Sequence, residues 1–405
     1  MSSGRFADAS IDRASGRLVA DPDHFSLAVF SSNMAGGTNL TTVDGPPIVT
    51  WDETVRIARA AERAGFEAII PVARWRSPST TSDAAAHRSF ETFTWAAGVA
   101  ACTETIQVFA TFHIPTVHPV RAAKEIATVD HISGGRLGVN VVAGWNMSDF
   151  QMFGIDLAEH DQRYEVAGEW MEFLDRIFTG EQPFDFSGRY YESTTVISEP
   201  RPVQTPGPLV MSAGFSPAGR EFAARCADIN FVITPDRSAA RGAIAAVKQR
   251  AREVYGRELK VFGAAHILCR DSDAAAQAEY QRVVHDHGDF AGATAAIQSL
   301  MGGSQSAEFA PEMQEAAIFG FFANAMVGSP EHVVEQFEAM RADGLDGAAI
   351  SWVDYEEGID QFAETLGPLM ADAGLRRATD PDSVSRKPGS TALPGRPDAG
   401  IGTGT

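Results

Sequence analysis

Short apolar runs alternate with amphipathic segments of helical period along most of the chain. The first pair is the strand-like run Phe25–Phe30 followed by TWDETVRIARAAERAG, where Thr50 and Glu53 have capping-box spacing and Gly65 follows as a C-terminal stop. The pattern predicts a β/α unit, which recurs along the chain. The predicted strands are Phe25–Phe30, Ala68–Val72, Ile106–Thr111, Leu137–Val142, Leu209–Ala213, Ile229–Ile233, Val261–Leu268 and Gly347–Trp352. Eight strands alternating with helices predict an α/β fold, a closed (β/α)8 TIM barrel.

Two stretches are longer than a β/α unit requires. Residues 180–208 predict a hairpin or an extended excursion, and residues 271–345 predict an alanine-rich helical block. We therefore expect one barrel over residues 25–375 with two insertions. The flanks, residues 1–24 and 376–405, predict a disordered arm and a disordered tail, because they bury too little apolar surface to offset the entropy of ordering.

The run Leu137–Val142 is almost entirely apolar, as expected of a parallel strand buried on both faces. Asn140 is the exception within it. A buried amide without partners costs about 1 to 3 kcal/mol, so Asn140 either satisfies a structural neighbour or faces a ligand.

Composition narrows the range of partners. A net charge of -20 and a pI near 4.9 repel phosphate backbones and anionic lipid, which argues against nucleic acid and membrane partners and favours a small-molecule substrate. The chain has 3 cysteines without metal-site spacing, which suits buried thiols in a reducing cytoplasm and predicts no metal site. No run approaches transmembrane length, and the N-terminal residues do not have signal-peptide character. We expect a cytoplasmic protein.

In such a barrel, catalytic groups lie on the loops that follow the C-terminal ends of the strands. In AGFSPAG, which follows the fifth strand, Ser216 suits an N-cap and Pro217 the first helical position. Helix starts of this type bind phosphate, although an ordinary capped helix explains the same residues. Arg163 lies in a first helical turn, where the helix dipole disfavours a cation unless an anion binds nearby or the side chain is solvated. Arg163 and Ser216 together predict a shared phosphate site.

Other chemistries have weaker signals. The chain contains no Walker loop, no G-x-S-x-G motif, no H-E-x-x-H motif and no dinucleotide glycine fingerprint. His113 and His118 flank the end of the third strand, where one of them could act as a base or both could be structural.

Several ordered motifs resemble one family. SGGRLGVNVVAGW, the following Asp149-Phe150, EHDQRYE and the AGFS helix start are similar to the luciferase-like flavin monooxygenases, nearest to the group that contains pyrimidine and dimethylsulfone monooxygenases. The resemblance covers about residues 25–370. It implies a two-component enzyme in which a separate NAD(P)H flavin reductase supplies reduced FMN, and it also implies a homo-oligomer.

The implied reaction is oxygenation by O2 of a small heterocyclic or aromatic compound, with ring opening or loss of a heteroatom substituent. Two alternatives on the same barrel are a deazaflavin-dependent dehydrogenase and a non-catalytic flavin-binding protein.

The resemblance also implies site residues. Thr111 and Asn140 are the implied catalytic pair, in the pocket where oxygen meets the flavin. The implied FMN contacts are Ala73, Arg74, Asn140, Asp149, Arg163, Tyr164 and Ser216. The candidate walls of the substrate pocket are Val72, Phe112, His113, Trp145 and Phe150.

The chain departs from the pyrimidine enzymes at three places. Arg74 replaces a lysine, Asp149 replaces a glutamate, and residues 31–42, SSNMAGGTNLTT, lack an expected tryptophan. We call residues 31–42 loop 1. Its small polar residues predict a flexible loop, a wider entrance and a substrate bulkier than uracil.

Overall fold

The computed structural model describes residues 18, 21, 23–77, 84–156, 158–233, 237–300 and 309–377. Most of the predicted arm and, from residue 378 onward, the predicted tail lie outside the described residues. Within these ranges the strands are β1 Ser26–Phe30, β2 Ala68–Ile70, β3 Gln107–His113, β4 Leu137–Val142, β5 Phe184–Ser187, β6 Glu192–Val196, β7 Leu209–Ala213, β8 Ile229–Val232, β9 Lys260–Cys269, β10 Asn324–Gly328 and β11 Gly347–Trp352.

Eight of these strands close into a parallel barrel, which confirms the predicted fold. Their order is β1, β2, β3, β4, β7, β8, β9 and β11, and β11 pairs with β1. All eight contain a run that the hydrophobic pattern predicted, with boundaries shifted by up to two residues. The barrel follows from the near-continuous apolar strands, because only burial on both faces suits such sequences.

Helices cover the outside of the barrel between successive strands. The described α-helices are α1 Trp51–Arg63, α2 Thr92–Cys102, α3 Pro119–Ser133, α4 Met147–Met152, α5 His160–Thr179, α6 Pro217–Cys226, α7 Arg237–Tyr255, α8 Asp273–Gln281, α9 Phe290–Leu300, α10 Pro311–Ile318, α11 Pro330–Ala342, α12 Tyr355–Gln361 and α13 Gly367–Asp372.

Local sequence signals set several helix ends. The predicted capping box at α1 is present, since the Thr50 side chain accepts a hydrogen bond from the Glu53 amide and the Glu53 carboxylate accepts one from the Thr50 amide. Helix α3 ends at Gly134, whose φ of 63° is left-handed. The predicted C-terminal helix is interrupted by a π-helical turn at Phe362–Leu366, which the sequence pattern did not indicate.

The two long stretches contain additional elements. Residues 180–208 carry β5 and β6, which pair antiparallel. The stretch 271–345 contains helices, but the prediction of a wholly helical block is wrong, because β10 lies within it. Strand β9 is long enough for its first half to pair with β8 and its second half with β10. Strand β10 was missed because NAMVG lacks a clear alternation of apolar and polar residues.

Alternation along the strands separates an inner core from an outer core. Phe109 and Met211 fill the inside of the barrel, whereas Val108 and Val139 face the helices. Leu18 is 2% exposed and belongs to the inner cluster, so this residue of the predicted disordered arm is packed. At the other end of the chain, Arg376 is buried and pairs with Glu67 at 2.7 Å, so the described barrel reaches into the predicted tail.

We expect Gly138→Ala to destabilise the barrel. A Cβ at Gly138 would lie 2.5 Å from the ring of Phe109, which is fully buried and sits opposite it across β3 and β4. Overpacking of this kind costs about 1 to 3 kcal/mol of unfolding free energy, measurable by urea denaturation. Gly242→Ala is the matched control, because a Cβ there meets nothing within 4 Å, and an unchanged or higher midpoint is expected. Equal midpoints for both variants would contradict the clash.

Within the described ranges, no helix has the length and apolar character needed to cross a membrane.

Candidate active site

A cavity of about 610 Å³ opens at the C-terminal mouth of the barrel. This volume lies in the usual range of small-molecule sites, about 300 to 1,000 Å³. Nine of the residues implied by the resemblance line it: Val72, Ala73, Arg74, Thr111, His113, Asn140, Trp145, Tyr164 and Ser216.

Strand register brings the implied catalytic pair together. Thr111 and Asn140 are opposite each other across β3 and β4, and the Asn140 Nδ2 donates to the Thr111 Oγ1 at 3.3 Å. Thr111 in turn donates to the Pro71 carbonyl at 2.5 Å. Because the hydroxyl proton is used on Pro71, the Thr111 oxygen must accept, which fixes the orientation of the Asn140 amide.

The amide of Asn140 is buried but incompletely satisfied. Its side chain is 4% exposed, and its Oδ1 has no hydrogen-bond partner among the described residues. The sequence left open whether a neighbour or a ligand satisfies this residue. In the structure the Asn140 Nδ2 has a protein neighbour, whereas the Oδ1 lies at the cavity wall.

Two aromatic residues implied as pocket walls do not line the cavity. Phe112 belongs to the outer core, where its ring stacks on Phe93 at 5.5 Å and contacts Trp170 at 5.1 Å. The physical reason is that side chains alternate along a strand: Thr111 and His113 point into the barrel, and Phe112 between them points outward. Phe150 is fully buried and packs behind His113, with ring centroids 5.4 Å apart.

The start of α6 and the first turn of α5 form the candidate phosphate site. The Ser216 Oγ accepts from the Gly219 amide at 3.1 Å, as an N-cap does. The Tyr164 phenol packs over the same turn, and a Cβ at Gly214 or Gly219 would lie 2.7 or 2.8 Å from its oxygen. Both glycines are therefore needed for this close approach. Burial raises the pKa of Tyr164, opposed by the Ser216 hydroxyl and the charge of Arg163, so the phenol stays a donor at neutral pH.

Arg163 lies behind this turn and does not line the cavity directly. Its guanidinium donates to the Gly144 carbonyl, while its Nε is buried without a partner among the described residues. Its charge is close enough to affect Tyr164. Arg163 thus makes one structural hydrogen bond, to Gly144, and keeps its Nε as a donor for a ligand near the start of α6.

Arg74 presents a cation to the cavity. Its guanidinium forms no hydrogen bond or ion pair with any described residue. Burial lowers the pKa of Arg74 to about 10, opposed by Asp149 and Tyr355, so it remains charged at neutral pH. Asp149 does not line the cavity: it is 1% exposed, and burial raises the pKa of its carboxyl group. Asp149 lies close enough to Arg74 for their charges to interact, and its contact with a cofactor stays a prediction.

Sequence reasoning missed a buried polar cluster on the opposite side of the barrel mouth. Thr38 donates to the Ser351 Oγ at 2.8 Å, and the Nδ1 of His266 lies 2.8 Å from the same oxygen. His266 is fully buried and Ser351 is 1% exposed, whereas Thr38 reaches the cavity. The inward-facing alternation of β9 and β11 could have indicated the two strand residues, but only the fold brings Thr38 to them.

Loop 1 is not the flexible segment that its small residues predicted. The Asn33 side chain forms two hydrogen bonds with the Val72 backbone, at 2.8 and 2.9 Å. Asn39 donates to the Trp352 carbonyl at 3.0 Å, and the Thr38 cluster lies between these anchors. Side-chain hydrogen bonds thus hold loop 1 to three parts of the barrel. A loop held in this way does not supply the flexible, wider entrance that its composition predicted.

We expect His266 to make the fold less stable in acid. Burial lowers the pKa of His266 from 6.5 to about 3, so the folded protein holds the ring neutral while the unfolded chain protonates it. The unfolding free energy is therefore fully retained above pH 6.5 and falls as the pH drops toward 3, by at most about 1.4 kcal/mol per pH unit for this group. His266→Asn should flatten the dependence of the urea midpoint on pH between about 6.5 and 5.

The matched control for that measurement is His131→Asn, a change at an exposed histidine. It should leave the pH dependence of the midpoint unaltered. Identical slopes for the wild type and His266→Asn would show that His266 is not held neutral by the fold.

Comparison with known proteins places the chain in a family. The model of the luciferase-like monooxygenase family matches residues 25–347, which is most of the sequence. The chain belongs to this family. It is 27% identical over 358 residues to an FMNH2-dependent dimethylsulfone monooxygenase of Pseudomonas putida, covering 87% of this chain and 96% of the relative.

A second relative and a solved structure are also similar to this chain. The pyrimidine monooxygenase RutA of Klebsiella pneumoniae is 30% identical over 332 residues, covering 79% of this chain and 89% of RutA. The crystal structure of the long-chain alkane monooxygenase LadA superposes with a TM-score of 0.75 at 20% identity, covering 92% of this chain and 97% of LadA, and so supports the fold. The predicted family, the monooxygenase class and the prediction of reduced FMN are confirmed by this group of relatives.

Proposed function

We propose that this protein is the oxygenase component of a two-component system, which uses reduced FMN and O2 to oxygenate a small organic molecule. A separate NAD(P)H flavin reductase supplies the reduced FMN, either by transient contact or by free diffusion. The observation that carries the proposal is that one cavity contains both a helix start with phosphate-type donors and the partly unsatisfied Asn140 amide.

The residues present fit FMN. A phosphate dianion suits the N-terminus of α6, where Ser216 and Tyr164 are donors and the Nε of Arg163 has no partner among the described residues. Arg74 and Ala73, which follow β2, line the same cavity and would hold the polar edge of the FMN ring system. When bound, reduced FMN supplies the electrons that activate O2.

In this proposal Thr111 and Asn140 orient the reacting molecules. The hydrogen bonds from Asn140 to Thr111 and from Thr111 to Pro71 hold the amide in one orientation before any ligand arrives. The Asn140 Oδ1 can accept a hydrogen bond from a bound molecule, and the second Nδ2 hydrogen, which Thr111 does not accept, would be the preorganised donor for developing negative charge. Val72, which is held by Asn33, forms the adjacent apolar wall.

The test uses purified protein, reduced FMN and ¹⁸O2 with a panel of heterocycles, sulfones and halogenated aromatics. Mass spectrometry should detect one ¹⁸O atom in a product, and only when reduced FMN is present. A reduced product that forms equally well without O2, with reduced FMN oxidised as the hydride donor, would instead indicate a hydride-transferring enzyme of the same fold. Tightly bound oxidised flavin without turnover of any compound would indicate a flavin-binding protein.

We further propose that the substrate is heterocyclic or aromatic, bulkier than uracil, and that it loses a ring bond or a heteroatom substituent. The apolar walls at Trp145 and Phe321 support an aromatic ring, and Arg74, whose planar guanidinium lies on the cavity wall where the pyrimidine enzymes have lysine, supports a substrate other than uracil. When uracil and larger ring compounds are offered together with limiting reduced FMN, the larger rings should be consumed first. Fastest consumption of uracil would exclude this substrate class.

A further inference from the structure

One buried polar group at the cavity has no role in the oxygenase proposal above: the imidazole of His113. It lies at the end of β3 and is 2% exposed. Neither ring nitrogen has a hydrogen-bond partner among the described residues. Its ring neighbour is Phe150, at 5.4 Å, which offers an apolar contact only.

An unpartnered imidazole in this position is costly unless something binds to it. A buried polar group without a partner loses its hydration and gains no hydrogen bond in exchange, and His113 has two such atoms. A phenylalanine or leucine would fill the same space against Phe150 without that cost. His113 lines the cavity, so a ligand there can supply the missing partner.

The nearest neighbours of His113 are apolar, and no charged group affects its pKa. Its register partner on β4 is Val142, and Val72 lies on the same cavity. Burial alone lowers the pKa of His113 to about 4, with no charged neighbour contributing, so the ring is neutral at physiological pH. A neutral imidazole offers one N–H donor and one nitrogen acceptor.

We propose that His113 determines substrate specificity by hydrogen bonding to an uncharged polar group on an otherwise apolar substrate. Suitable groups are a carbonyl or sulfonyl oxygen, or a ring nitrogen. An anionic group is disfavoured beside His113, because the neutral ring and its apolar neighbours Val142 and Phe150 cannot balance the charge, and Arg74, the cation on the same cavity, is assigned to FMN in the proposal above. The proposal rests on the oxygenase function, since it assigns Ser216, Tyr164 and the Asn140–Thr111 pair to FMN and O2.

The test compares pairs of probes that have similar shapes and different charges. Dimethylsulfone and methanesulfonate form one pair, and benzamide and benzoate form the other. Each is titrated anaerobically into protein saturated with FMN, and the flavin absorbance change reports binding. The neutral member of at least one pair should bind at least about tenfold more tightly than the anion, as expected from one good hydrogen bond.

Two substitutions at His113 then isolate the imidazole. His113→Phe keeps a ring against Phe150 and should weaken binding of the neutral probe at least about tenfold. His113→Gln restores a donor and an acceptor and should recover part of the loss. His131→Gln, at an exposed histidine, should have no effect on probe binding.

Some outcomes overturn the proposal. One is that the anions bind as tightly as their neutral partners. Another is that His113→Phe binds the neutral probe as tightly as the wild type does, and a third is that no neutral probe binds with a Kd below about 50 mM. FMN affinity, measured in the same titrations, should change less than about twofold in both His113 variants. Wild-type protein that fails to bind FMN would instead refute the oxygenase function itself, so the two failures are distinguishable.

Discussion

Asn140→Ala is expected to lower the rate of oxygen insertion about 10²- to 10³-fold, the effect typical of removing one preorganised hydrogen-bonding group. The variant should still fold, because the Asn140 amide faces the cavity and, among the described residues, hydrogen-bonds only to the Thr111 hydroxyl. The loss should appear in kcat more than in KM, because a group that stabilises charge in the transition state adds little to ground-state binding.

The measurement is the initial rate of ¹⁸O incorporation with reduced FMN supplied in excess, using the substrate found in the panel. Thr111→Val is the informative companion, since it keeps the shape of the side chain and removes the acceptor that orients Asn140. Its rate should fall less than that of Asn140→Ala, and Thr111→Ser should retain most of the activity. A wild-type rate in Asn140→Ala would remove this residue from the reaction.

Arg163→Ala is expected to weaken the binding of reduced FMN at least tenfold. Charge-assisted hydrogen bonds to phosphate contribute roughly 1.5 to 3 kcal/mol, and a loss of about 1.4 kcal/mol is already tenfold in affinity. The effect has two sources in this structure: the cation beside Tyr164 is lost, and the Gly144 carbonyl loses its donor. Arg163→Lys should restore part of the affinity, because it keeps the charge but not the fork of donors.

The matched control is Arg189→Ala, which removes the same charge outside the cavity. Arg189 forms an exposed ion pair with Glu165, and Glu165 lies on the same helix as Arg163. Anaerobic titration with reduced FMN should give the control the affinity of the wild type. Equal affinities for Arg163→Ala and Arg189→Ala would exclude Arg163 from the phosphate site. A loss of affinity in both would point to long-range attraction rather than to a contact.

Much of the fold could be predicted because its signals are local. An apolar run such as Leu137–Val142 and a capping box such as Thr50 with Glu53 involve residues that are adjacent in sequence. The helix start at Ser216 is a signal of the same kind. Strand β10 escaped prediction because its pairing with β9 is a tertiary contact, and its own residues show little strand pattern.

The site was predictable in part, mostly through resemblance to a family. The outward position of Phe112 follows from the sequence itself, because side chains alternate along a strand and its neighbour Thr111 faces the cavity. Loop 1 shows the opposite case. Its small residues predict flexibility, and only contacts such as Asn33 with Val72 make it ordered. These contacts join residues far apart in the chain, so composition could not indicate them.

The sequence by itself determined the (β/α)8 architecture, the candidate phosphate turn and the presence of one asparagine in an apolar strand, because each depends on spacing within a few residues. The tertiary structure decided which of these residues meet. Register across β3 and β4 placed Thr111 beside Asn140, and barrel closure brought Thr38 to His266 and Ser351. It also decided that the His113 ring is buried without a hydrogen-bond partner among the described residues, because hydrogen bonding of a buried polar group depends on every neighbour that the fold supplies.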